Sequence, residues 1–188
     1  ILLCEQVCGK TDLIKRKKSL GQLNNWIYLC NFAVEFGKDY EKENTIQFVY
    51  RDMWQSSGKF QPRNDQLERI APVIIDMGCF ARVETNGGAF EQVNLLAGEN
   101  PNDAVRAFCK PFNEVGIKTH MLDRGLNALR MFPVPADVRR LMYKVKHAQG
   151  TDITRIFCGL NDVRNIIPSI KYALEAGMTP QATLCITT

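Results

Sequence analysis

The chain has 188 residues, enough to bury one sizeable core and ordinarily a single domain. Apolar residues make up 45% and charged residues 23%, an ordinary globular composition, and no apolar run reaches the length of a membrane span. Net charge is +4 with no Lys/Arg stripe interleaved with aromatics, so nucleic acid is not an expected partner.

Residues 1–44 stand apart. Lys15-Arg16-Lys17-Lys18 is a solvated basic run, and Trp26, Ile27, Leu29, Phe32, Ala33 and Phe36 suit a short amphipathic helix. This stretch reads either as an accessory extension capping a barrel's bottom or as non-native upstream sequence. The chain lacks an initial Met and stops at Thr188 inside an apolar, strand-like run, so a fragment of a longer protein is expected.

From residue 45 onward a regular alternation sets in. Thr45–Tyr50 is a strand, rich in Ile, Phe, Val and Tyr. Gln66–Met77 is helical, with Leu67, Ile70, Ala71, Ile74 and Met77 on one face, and Gly78 stops it. The reading continues with strand Cys79–Glu84, helix Asn102–Val115, strand Ile117–Leu122 and helix Ala136–His147. Strand Asp152–Phe157, helix Val163–Ala176 and strand Ala182–Thr187 complete it. Strands recurring about every 34 residues between helices predict a parallel α/β array. Eight such units need roughly 270 residues, the size of a (β/α)8 barrel. The expected fold is therefore part of a TIM barrel, with about five parallel strands over residues 45–188. A doubly wound sheet would carry a glycine-rich phosphate loop after its first strand, where this chain has Arg51, Asp52 and Gln55.

The seven cysteines are odd in number and contain no CxxC pair, so they read as reduced thiols of a cytosolic protein, with Cys79, Cys109 and Cys185 in the core. Cys4 and Cys8 lack a second pair to complete a zinc site.

Polar residues collect after each strand, at the end where such barrels bind ligands. They are Arg51, Asp52 and Gln55; Glu84, Thr85, Asn86, Gly87 and Gly88; Asp123, Arg124 and Asn127; Cys158, Asn161 and Asp162; and Thr187 and Thr188. Asp52 suits a metal ligand or a salt-bridge partner of Arg51 or Arg124. Arg124 suits a carboxylate clamp or an ion pair with Asp123 or Glu84. Gln55 suits a donor to a developing enolate oxygen or a polar helix start. Gly87-Gly88 implies a close backbone approach or a plain turn. Asn161-Asp162 caps the helix that follows. His120 is expected inside and His147 at a helix end.

The motifs YRDMWQSS, VETNGGAFEQ, HMLDRGLNALR and RIFCGLNDVRNI, in this order, resemble the biotin-dependent carboxyltransferase family. That family includes the carboxyltransferase domain of pyruvate carboxylase, the transcarboxylase pyruvate-side subunit and the oxaloacetate decarboxylase α-subunit. The resemblance covers about residues 45–188, the N-terminal half of the barrel. It implies decarboxylation of oxaloacetate or carboxylation of pyruvate through an enolate. Biotin on a carrier domain or subunit would be the partner, and a divalent zinc, cobalt or manganese ion would polarise the keto oxygen. By position, Asp52 matches the metal-binding aspartate, Gln55 and Arg124 the residues that hold the keto acid, and Arg51 the catalytic arginine beside the metal. A homo-oligomeric parent is implied as well. The family's remaining metal ligands, a carbamylated lysine and an HxH pair, would lie beyond Thr188, so this piece alone is expected to be inactive. Trp54, Gln92, Met131 and Cys158 stand where the family has histidine, aspartate, tyrosine and aspartate, which implies a divergent subfamily. A metal-dependent acyl-CoA lyase or synthase on the same barrel is the alternative enzyme. An inactive truncated fragment is the non-enzymatic reading.

Overall fold

The structure is a computed structural model that describes residues 46–48, 51 and 63–186. Residues 1–44, together with Asp52, Trp54 and Gln55, lie outside the described residues. The elements are β1 (Ile46–Phe48), α1 (Asn64–Glu68), α2 (Ala71–Asp76), β2 (Phe80–Gly87), α3 (Gly88–Leu96), α4 (Pro101–Glu114), β3 (Lys118–Asp123), α5 (Ala136–Ala148), β4 (Ile153–Phe157), α6 (Val163–Glu175) and β5 (Thr179–Thr183). A single 3₁₀ turn, Gly125–Asn127, follows β3.

All neighbouring strands pair in parallel, in the order β1-β2-β3-β4-β5. Sequential parallel strands with a helix across each connection make part of a β/α barrel, as the alternation predicts. The helices end where the glycines require it: Gly116 and Gly177 take φ of 81° and 85°, a region open to glycine at no steric cost.

The outward faces of the strands pack on the helices. Val83 joins Phe90, Phe108 and Phe112 in one apolar cluster, and Phe108 and Phe112 meet edge to face with centroids 5.4 Å apart. Met121 packs with Tyr143 and Ala173, and Ile156 with Ile166 and Ile170. α4 is well specified locally. Asn100 caps it by accepting from the Asn102 N–H at 3.0 Å, and Pro101 occupies its first turn.

Four expectations need correction. The helix read over Gln66–Met77 is two short helices, because Pro72 sits in the first turn of α2 and restarts the chain there. β2 runs on to Gly87 rather than ending at Glu84, and α3 follows it directly with no loop. β5 starts at Thr179, immediately beyond the Gly177 stop, and ends at Thr183; the apolar Ala182–Thr187 run misplaced it. Cys79 is exposed and Cys185 only partly buried, so of the three expected core cysteines Cys109 alone is buried.

Candidate functional site

Successive strand side chains alternate between faces. With Val83, Met121 and Ile156 turned to the helices, Glu84, His120 and Arg155 turn to the interior of the sheet's curve. All three are buried, and so is Arg82. Glu84 is the centre of this layer. Arg51, just beyond β1, binds its Oε1 through Nε at 2.5 Å. His120 Nδ1 lies 3.5 Å and Arg155 Nη1 3.8 Å from its Oε2. Burial alone would push the Glu84 carboxyl up, but the His120 hydrogen bond and the Arg51 charge outweigh it and hold the group below the usual carboxylate range. Burial pushes His120 down, and the nearby Arg155 charge adds to this against the pull of Glu84, so the imidazole is neutral near pH 7. The interior is thus a charged layer organised around one carboxylate.

Because the strands are parallel, their C-terminal ends share one rim. There Arg51 lies against Gly87 and Arg124 against Gly88. A Cβ added at Gly87 would lie 3.4 Å from Arg51 Cδ, and one added at Gly88 would lie 3.3 Å from Arg124 Nη1 and only 2.6 Å from the Leu129 carbonyl oxygen. Gly87 itself has extended backbone (φ 163°). The pair therefore serves close approach of backbone and side chain, not a turn. Thr85 and Asn86 do not reach the rim. They are buried within β2, with Thr85 Oγ1 3.3 Å from Cys109 Sγ and Asn86 donating to Thr151 Oγ1 at 3.1 Å.

Arg124 is half-buried and makes neither of the ion pairs expected for a structural role. Its Nη1 donates to the Arg130 carbonyl at 3.0 Å and to the Met131 sulfur at 3.2 Å. Asp123 points the other way, accepting from the Tyr143 hydroxyl. Among the described residues Arg124 has no acidic partner. Arg51, by contrast, is held by Glu84.

At the end of β4, Cys158 is partly buried and its sulfur accepts from Asn165 Nδ2 at 3.4 Å. Asp162 caps α6, accepting from the Arg164 N–H at 3.0 Å, as its sequence position predicts. Asn161 has a different role. At φ 54°, its side chain donates to the Cys185 carbonyl at 2.7 Å and accepts from the Cys185 N–H at 2.8 Å. His120 lies inside as expected, whereas Glu84 belongs to this interior layer instead of the rim, and Arg82 and Arg155 are not among the residues singled out. The layer's signal was present: charged residues alternate with apolar ones inside otherwise buried strands, as Arg82-Val83-Glu84 and Arg155-Ile156 show. Among the described residues no group of three or more His, Cys, Asp or Glu side chains is placed to hold a metal ion.

No family model matches the chain. It is 30% identical over 142 residues to a pyruvate carboxylase subunit of Methanocaldococcus jannaschii, a match covering 76% of this chain and 25% of that protein. It is also 30% identical over 164 residues to the pyruvate carboxylase of Schizosaccharomyces pombe, covering 85% of this chain and 14% of the relative. This chain is a relative of the pyruvate carboxylase carboxyltransferases. The carboxyltransferase domain of Rhizobium etli pyruvate carboxylase, solved with pyruvate and biocytin, superposes with a TM-score of 0.73 at 24% identity, over 79% of this chain and 25% of that one. That likeness establishes the carboxyltransferase barrel fold. The chain spans about a quarter or less of the length of these carboxylases.

Proposed function

We propose that the chain supplies the keto-acid-holding part of a biotin-dependent carboxyltransferase acting on pyruvate and oxaloacetate. The observation that carries this reading is Arg124: a half-buried guanidinium beside Gly88 at the C-terminal rim, with no acidic partner among the described residues. A planar guanidinium binds a carboxylate through two parallel hydrogen bonds, which fixes the plane of a small keto acid as well as its position. Arg51, immobilised by Glu84, adds a fixed positive charge where an enolate oxygen develops charge, so it stabilises the transition state without reorganising. By its match to the family motif, Gln55 would be a further donor to that oxygen.

Asp52 is the chain's own candidate for a divalent metal, and the described residues offer no further ligand set. Biotin would arrive on a carrier domain or subunit, and the protein would work in the cytoplasm as a homo-oligomer. Among the described residues no helix is long and apolar enough to cross a membrane. The carboxylase names of the relatives favour carboxyl transfer over acyl-CoA lysis. The test is Arg124→Ala in the full-length protein. The KM for oxaloacetate should rise at least about tenfold, the loss of a charge-assisted pair. Wild-type KM and turnover in that variant would refute the clamp.

A further inference from the structure

Behind the turn that carries Arg124 lies a polar cluster with no part in the roles above. Asp123 closes β3, is fully buried, and receives the hydroxyl of Tyr143 from α5. Ser169 on α6, also fully buried, donates to the Gly125 carbonyl at 2.9 Å. Arg139 on α5 reaches the same carbonyl at 3.4 Å and Ser169 Oγ at 3.2 Å, with its guanidinium 5.8 Å from the centroid of the Tyr172 ring. The turn is also confined sterically. Gly125 has φ 50°, and a Cβ there would lie 3.1 Å from the Phe157 carbonyl oxygen and 3.2 Å from that of Asn165. The Arg124 N–H closes the turn on the Ala128 carbonyl, and the Asn127 N–H on the Arg124 carbonyl, both at 3.0 Å.

Two helices can be sealed against each other with apolar side chains, often at no cost in stability compared with a buried charged set. Here two polar side chains from two different helices converge on one backbone oxygen, directly after the residue whose side chain enters the rim. We propose that Ser169 and Arg139, backed by the Asp123–Tyr143 pair, are positioning residues that set the 124–128 turn and so aim Arg124 at a substrate carboxylate. The inference rests on the clamp role given to Arg124 above. The demand for such a device is physical: a two-pronged guanidinium contact tolerates only about 0.5 Å of error, and a misplacement of about 1 Å can cost up to 10²-fold.

Ser169→Ala and Tyr143→Phe each remove one hydroxyl and little volume. In the full-length protein, amide exchange at Arg124 and Asn127 should quicken by about fivefold or more as the turn loosens. KM for oxaloacetate should rise about tenfold with kcat within about twofold, the signature of lost binding held equally in ground and transition states. A merely structural cluster would lower the melting temperature and leave KM in place. Unchanged exchange at both amides overturns the proposal, as does faster exchange with unaltered KM. Arg124→Ala, run alongside, separates the two claims. If that variant keeps its KM, the clamp reading fails, while the exchange rates still decide whether the cluster holds the turn.

Discussion

Val83 and Met121 look toward the helices and sit among aromatic and aliphatic side chains, whereas their neighbours Glu84 and His120 look inward and sit among arginines. One residue of register separates a layer held by non-directional packing from one held by directional charge pairing. The outer layer tolerates substitutions that conserve volume. The inner layer tolerates little, because each charge is compensated by a particular partner. The outer layer therefore accounts for the fold, and the inner layer fixes where Arg51 stands at the rim.

The sharpest way to break this contrast is Glu84→Ala. Removing the carboxylate that Arg51, His120 and Arg155 share breaks several buried pairings at once, and unfolding in urea should show a loss of about 3–5 kcal/mol. A loss under about 1 kcal/mol would mean that the inner layer is not organised around Glu84. Next comes Gly88→Ala, which drives a methyl into the Leu129 carbonyl; we expect about 1–3 kcal/mol of destabilisation by the same measurement.

Asp123 sharpens the comparison through pH. It is a polar group on the helix side, where burial pushes its carboxyl up to about 7, against the lowering pull of the Tyr143 hydroxyl, the Arg124 N–H, the Arg139 charge and Thr154. A carboxyl raised on folding adds stability that is fully present below its ordinary value of 3.8 and is lost as pH climbs to about 7. Denaturation curves should show Asp123→Asn becoming more stable relative to the native sequence as pH rises from about 4 to 7. A constant difference across that window would show that Asp123 is ionised throughout. Smallest is Asn100→Ala, which removes the α4 cap and should cost about 1 kcal/mol in thermal unfolding without touching either layer.

The alternation of elements was legible because glycine stops and apolar periodicity are local signals. α3 was not, since Gly87-Gly88 reads as a turn when the approach of Leu129 and Arg124 is unknown. β5 was displaced because the Thr179-Pro180-Gln181 stretch lacks the apolar residues that mark strands, yet its backbone pairs with β4 all the same. At the rim, Arg51 and Arg124 could be named from their strand-end positions. That Arg51 pairs with Glu84 and Arg124 with no carboxylate among the described residues depends on contacts across 33 residues or more of chain, or on their absence, and no spacing rule encodes that.

Asn161 carries a consequence of its own. Its carboxamide meets the Cys185 peptide with one donor and one acceptor, so a side chain imitates a missing backbone rung between the ends of β4 and β5. Aspartate would keep the backbone shape but offer no donor, glycine would keep the shape alone, and glutamine would overshoot by a methylene. Asparagine is the residue whose length, amide and tolerance of a left-handed backbone together suit this splice, which ties the loop after one strand to the segment leaving the next.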